Sequence, residues 1–426
     1  MSTDQSLMER YKNMYFGWKT VFAGAVIACW GYGSWYYGMS ALFTPLIAEF
    51  GWTRAQLSLA FSMRSIEGGL EGPFGGMLID KYGERKITII STIIACSGLI
   101  ALLYVTELWQ FIFVWGFVVS LGFNLGLYDT VNSAVSKWFI RKRGRALSFV
   151  TLGGGLGGPI IVPIMAWLIF NYGWRSSLLF VAGSTLVICL PLAWFFMKDG
   201  PPEKYDMLPD GDTVIESDNP DEINFVEEYN FTPKEALKTR SFWMMLIAFM
   251  LSGGITAMVT MHQIPYLIDL GIDQIAAAGV LGLMATMSLP GRVLFAWLSD
   301  RIGERKTLII SYGMKAVGLV VFVLARNLTH ILIFVAIYGA GYGGSIPVST
   351  SLRASYFGRK AYATITGYTT FFGAISNVAY PIFAGWCYDV YKSYTFAFTV
   401  ITGIQVLAMV FMYFATKPIP PSVQPV

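Results

Sequence analysis

Asp80-Lys81-Tyr82-Gly83-Glu84-Arg85-Lys86 returns 220 residues later as Asp300-Arg301-Ile302-Gly303-Glu304-Arg305-Lys306. Each copy is a charged turn between two apolar, glycine-containing segments. At an offset of 218, Trp138-Phe139 matches Tyr356-Phe357, Arg141-Lys142 matches Arg359-Lys360, and Pro163 matches Pro381. One half of the chain therefore repeats the other, and a repeat of this size governs the architecture.

The chain is 55% hydrophobic and 13% charged, against about 25% charged in a soluble domain. Apolar runs of roughly 20 residues, long enough to span the hydrocarbon as helix, fall near 17–42, 55–79, 87–107, 109–135, 146–170, 174–197, 241–267, 275–299, 307–325, 330–352, 361–386 and 393–416. The expected fold is an all-α integral membrane protein with twelve transmembrane helices in two six-helix pseudo-symmetric bundles. Residues 1–198 form the first bundle, 199–240 an acidic linker, and 241–426 the second bundle with a short tail. Parallel repeats of this kind occur in two-lobed secondary transporters, whose substrate site lies between the lobes.

Orientation follows from the basic residues of the short loops. Of the 30 Lys and Arg, 23 fall at the N-terminus, the even-to-odd loops or the C-terminus. Arg54, Arg175, Arg326 and Lys392 lie in the opposite loops, and Arg64, Arg292 and Lys315 within predicted helices. Both termini and the linker are therefore expected in the cytoplasm, in a multi-pass cell-membrane protein that acts as a monomer. Asp4 and Glu9 before the first apolar run do not suit a cleaved signal peptide. The net charge of +4 reflects these loops and not a nucleic-acid partner. Four scattered cysteines and two histidines make no metal, disulfide or cofactor pattern. The turn-rich linker, with Asp210, Asp212 and Asp218-Asn219-Pro220-Asp221-Glu222, is expected to be a solvated connection.

Gly76-x-x-x-Asp80-Lys81-x-Gly83-x-Arg85-Lys86 resembles the loop signature of the major facilitator superfamily; the second copy departs in having Ala296 where Gly76 stands. Within it the chain resembles the monocarboxylate-transporter branch, related to the oxalate–formate exchangers. Phe16-Gly17-Trp18, Lys137-Trp138-Phe139-x-x-x-Arg143-Gly144-x-Ala146 and Pro290-Gly291-Arg292 carry that likeness. It implies a gating latch of Asp80, Arg85, Asp300 and Arg305, and a carboxylate held by Arg292. Two features of the branch are missing: Ser288 stands where an Asp precedes that Arg, and the first helix has no Lys beyond Lys19. The exchangers' cation in the eleventh helix is also absent.

Ionisable groups within the membrane are functional candidates by default. Arg292 lies two turns before Asp300, about 12 Å into the helix at 1.5 Å per residue, and its guanidinium forks onto a carboxylate. One such cation suits a monocarboxylate. His262 is the first candidate for proton or substrate contact, since its charge changes near neutral pH. Glu67, Glu71 and Asp129 are further proton-coupling candidates. Arg64 and Glu67, at i and i+3, are expected to form a structural ion pair. Lys315 is expected to snorkel or pair structurally, and His330 to be solvated. Asn124, Tyr128, Tyr342, Tyr36 and Tyr37, near helix centres, are candidate pocket walls. The function read here is transport of a small lactate- or pyruvate-like monocarboxylate across the bilayer, coupled to a proton and needing no cofactor. An anion exchanger and a non-transporting sensor on the same fold are the alternatives; membrane enzyme chemistry finds no residues to support it.

Overall fold

A computed structural model describes residues 14–52, 54–211, 229–272 and 274–420. The acidic run at 218–222, Asp212, and Asp4 and Glu9 lie outside the described residues. Twelve long helices follow one another. Helix α1 starts as Phe16–Gly31, passes through a π-helical turn Tyr32–Tyr37 and a tight turn Gly38–Leu42, and ends as Phe43–Phe50. Then come α2 (Arg54–Tyr82), α3 (Glu84–Ala101), α4 (Leu108–Trp138), α5 (Arg143–Tyr172) and α6 (Trp174–Phe196). The second half holds α7 (Arg240–Asp269), α8 (Gln274–Ile302), α9 (Glu304–Val323), α10 (Leu328–Phe357), α11 (Tyr362–Tyr391) and α12 (Thr395–Phe414).

Among the described residues, nine of these helices are long and apolar enough to cross a bilayer on composition alone. The other three are α1, whose regular helix breaks after Gly31, α2, which carries Arg64, Glu67 and Glu71, and α11, diluted by threonine, glycine and asparagine. All three line the central cavity described below, where polarity has a use.

One apolar core is drawn from residues 21–197, and two more from residues 231–415. Between the halves, α2 runs along α11, and α5 along α8. Glycines set these crossings. A Cβ on Gly72 or Gly76 would meet the backbone of Gly367, or of Ala363 and Thr364, on α11. On the other seam the glycine changes sides: Gly144 of α5 faces Ala296 and Ser299 of α8. That exchange accounts for alanine in the second copy of the repeat. The repeated turns themselves need glycine, because Gly83 (φ 96°) and Gly303 (φ 88°) occupy backbone regions that other residues rarely adopt.

Linker segments tie down matching loops in the two halves. The Asp210 carboxylate accepts the backbone N–H groups of Ile140, Arg141 and Lys142 at 2.8–3.1 Å. Asn230 Oδ1 accepts those of Arg359 and Lys360 at 2.9 and 3.0 Å.

Candidate functional site

Each repeated turn places an acid at the foot of a helix, and each acid reaches the other half. Asp80, ending α2, accepts from Thr364 N–H (2.9 Å) and Thr364 Oγ1 (2.8 Å), in the first turn of α11. A carboxylate there also meets the positive end of the helix dipole. Asp300, ending α8, takes Arg145 Nε of the first turn of α5 at 2.5 Å. Lys137 backs the first contact, with Nζ 3.1 Å from Asp80 and 2.6 Å from the fully buried Glu84. Glu84 also accepts from Ser133 Oγ and Gly200 N–H. Arg359 adds a further link, donating to the Lys137 carbonyl and the Glu203 carboxylate at 2.7 Å each. The lobes are thus joined on the face where α1 begins and α12 ends.

The arginines expected in this latch are elsewhere. Arg85 lies 4.3 Å over the Trp194 ring, and its backbone N–H donates to Asp199. Arg305 donates to the Tyr413 carbonyl and lies over that ring. Both side chains turn to an aromatic ring on the last helix of their own half. Lys137, Arg145 and Thr364 are the partners actually met, and no local spacing identifies them.

Above this gate lies a cavity shared by the two halves. Gly31, Tyr32, Tyr36, Arg64, Asn124, Tyr128 and Asn377 line one part, and Tyr37, Tyr128, Thr151, Arg292 and Tyr342 line the next. The structure therefore brings together Arg292, Asn124, Tyr128, Tyr342, Tyr36 and Tyr37. Tyr32, overlooked in the sequence, lies 5.5 Å from Tyr128, ring to ring, within the π-helical turn of α1. Such turns recur at functional sites, and α4 carries two more, Val114–Val119 and Leu125–Asp129.

Arg292 is 6% exposed and crosses the seam: Nη1 donates to the Thr151 carbonyl of α5, and the guanidinium lies against Gly155. Its Nε has no partner, and among the described residues no carboxylate pairs with it. The first half gathers acids of its own. Glu67 accepts from Asn124 Nδ2 at 3.0 Å. Glu71 is buried with neither oxygen hydrogen-bonded, and lies within electrostatic reach of Glu67 and Asp129.

Three expectations need correcting. Arg64 and Glu67 do not pair: Arg64 lies 4.5 Å over the Tyr36 ring and donates to its carbonyl, while Glu67 takes Asn124. His262 does not line the cavity. Its Nε2 is 3.0 Å from the Pro381 carbonyl and its ring 5.2 Å from Tyr394, all within the second half. Lys315 neither snorkels nor meets an acid; at 1% exposure it binds Ser252 and Thr256. Arg353, placed in a loop by the sequence, lies inside α10 and lines the cavity beside Lys315. His330 is half-buried and held by the Asn327 cap.

Two helical lobes, joined at one face around a buried cavity lined with ions and tyrosines, define a two-lobed membrane transporter. The sequence pattern of the Major Facilitator Superfamily matches residues 21–379 and 293–426, and the chain belongs to that superfamily. It is a multi-pass membrane transporter, not an enzyme. Monocarboxylate transporter 12-B of Danio rerio is 24% identical over 367 residues, 80% of this chain and 75% of the relative. A Bacillus subtilis MFS-type transporter, YcxA, is 22% identical over 357 residues, 80% of this chain and 81% of the relative. Among solved structures, the E. coli fucose:proton symporter FucP superimposes with a TM-score of 0.71 at 14% identity, covering 95% of this chain and 100% of that one. The proton:xylose symporter XylE gives 0.72 at 13% identity, covering 94% and 95%.

Proposed function

We propose that this chain carries small monocarboxylates, lactate- or pyruvate-like, across the cell membrane by alternating access, each anion moving with a proton and the carrier acting as a monomer. The observation that carries the reading is Arg292: a buried guanidinium in the seam between lobes, with a free Nε and, among the described residues, no carboxylate paired with it. A planar carboxylate fits that fork, and Tyr37 and Tyr342 stand within its electrostatic reach. The monocarboxylate transporters among the relatives agree with this choice of anion.

The proton site we favour is Glu71, with Glu67 and Asp129 beside it. The two Glu71 oxygens are buried without a hydrogen-bond partner, so a proton taken up there would remove a charge that nothing around it satisfies. An anion and a proton together cross without net charge, so the membrane potential does not oppose them. With the termini in the cytoplasm, as the basic loops indicate, the closed face is cytoplasmic.

In proteoliposomes, an inward lactate or pyruvate gradient should acidify the lumen. Arg292→Gln should lower transport efficiency by at least roughly 30-fold, the lower edge of the 2–5 kcal/mol for breaking a buried charge pair. Intact carboxylate transport in that variant would overturn the assignment; electroneutral exchange without proton movement would leave an exchanger instead.

A further inference from the structure

The cavity does not end at Arg292. Past Tyr128, Tyr342 and Ile346, which border both parts, it opens into a chamber of about 400 Å³ within the second half. Lys315 and Arg353 line it together with Ser252, Thr256, Thr350 and Thr369, and no Asp or Glu is among its lining residues. Lys315 Nζ donates to the Ser252 carbonyl (3.1 Å), Ser252 Oγ (2.7 Å) and Thr256 Oγ1 (3.0 Å), and lies 5.7 Å from the rings of Tyr312 and Tyr338. Each of these is neutral. Arg353 donates to Thr369 Oγ1 (3.0 Å) and Thr350 Oγ1 (3.4 Å), and its Nε is buried without a partner. Asp129 of α4 is within electrostatic reach of Arg353 but forms no ion pair with it, and Lys315 has no comparable acid.

A cation removed from water without a counter-charge is expensive, and an anion entering beside it recovers much of that cost. The threonine and serine hydroxyls can rotate to donate to it. The geometry also bears on length. Arg292 lies ten residues before the end of α8 at Ile302, and Lys315 eleven after the start of α9 at Glu304. At 1.5 Å per residue both are about 15 Å from the gated face. Helices α8 and α9 both pack against α10 and also touch each other, with neighbouring axes about 8–10 Å apart. The two cations are therefore level and stand apart, with Tyr342 between their compartments.

We propose that the Lys315–Arg353 chamber is a second anion-binding subsite, and that the carrier takes dicarboxylates with a carbon spacer, one carboxylate on Arg292 and the other beside Lys315. This rests on the reading of Arg292 as a carboxylate site. It removes the premise that a single central cation restricts the substrate to one charge.

Counterflow in proteoliposomes tests it with straight-chain dicarboxylates from malonate to adipate, each against the monocarboxylate of matching length. A dicarboxylate should compete at a lower concentration than its partner, with an optimum beyond the shortest member. Lys315→Gln should raise the ratio of dicarboxylate to monocarboxylate half-saturation by at least about tenfold, the scale of a lost charge-assisted hydrogen bond. The proposal fails if monocarboxylates move and no dicarboxylate competes better, or if the ratio is the same in Lys315→Gln. If neither class moves, the Arg292 reading itself has failed. Should Lys315→Gln not fold, the chain-length series in the parent protein decides alone.

Discussion

Asp80→Asn isolates the gate from the fold. Asp80 accepts two bonds from Thr364 of the other half and one contact from Lys137 of its own. With the charge gone, Lys137 keeps Glu84 at 2.6 Å, so the first half retains its buried ion pair. What weakens is the link between lobes. Hydrogen bonds to a charged group contribute about 1.5–3 kcal/mol net, which puts the gate's opening equilibrium about 10- to 100-fold toward the open form. The Asp300–Arg145 bridge is the internal control. Its arginine side chain is 51% exposed, and exposed pairs give about 0.2–1 kcal/mol, so Arg145→Gln should shift the equilibrium by no more than about fivefold. The assay is labelling of Thr366→Cys, a cavity position at 9% exposure, by an impermeant maleimide from the gated face. Cys96, Cys189 and Cys387 are buried, and the half-buried Cys29 is replaced by serine in the parent to remove its background. Labelling no faster in Asp80→Asn than in the parent, or as fast in Arg145→Gln as in Asp80→Asn, would refute the reasoning.

Lys137→Met leaves Glu84 fully buried and Asp80 without their cation; about 3–5 kcal/mol is lost, read as a large drop in melting temperature in detergent, and adding Glu84→Gln should recover part of it. Glu71→Gln should keep carboxylate counterflow while abolishing accumulation driven by a pH gradient; accumulation at the parent level would move the proton site to Glu67 or Asp129.

The charged turns were legible in the sequence because their causes are local: a glycine at positive φ and an acid at a helix end both sit within a few residues of one another. Partners across space were not. Arg64 and Glu67 have the spacing of a helical pair, yet α1 offers the Tyr36 ring to one and α4 offers Asn124 to the other. Spacing along one helix cannot report what neighbouring helices present. Arg353 was missed by a boundary alone, since ending the tenth span at 352 put it in a loop, whereas α10 runs on to Phe357. His262 drew attention by its chemistry, and its place against Pro381 is set by how α7 meets α11.

The repeat explains the scaffold, and its departures carry the charge. Glu67, Glu71 and Asp129 lie in the first half, whose share of the cavity lining also holds Arg64, while Arg292, Lys315 and Arg353 line the cavity from the second. The π-helical turns of α1 and α4 also lie in the first half, whereas their counterparts α7 and α10 are regular throughout. Ionised, the acids of the first lobe would attract the cations of the second across the seam. An anion that fills the cationic side cancels this attraction and, with the acids ionised, replaces it by repulsion. Protonating the acids removes that repulsion, so the cavity can close around its load only when anion and proton are both aboard. Coupling would then need no direct contact between the two ligands, only their placement on opposite lobes. It follows that Glu71→Gln should cycle with the anion alone, whereas a carboxylate added to the second half, as in Ser345→Asp, should hinder closure around the substrate and slow uptake more than it weakens binding.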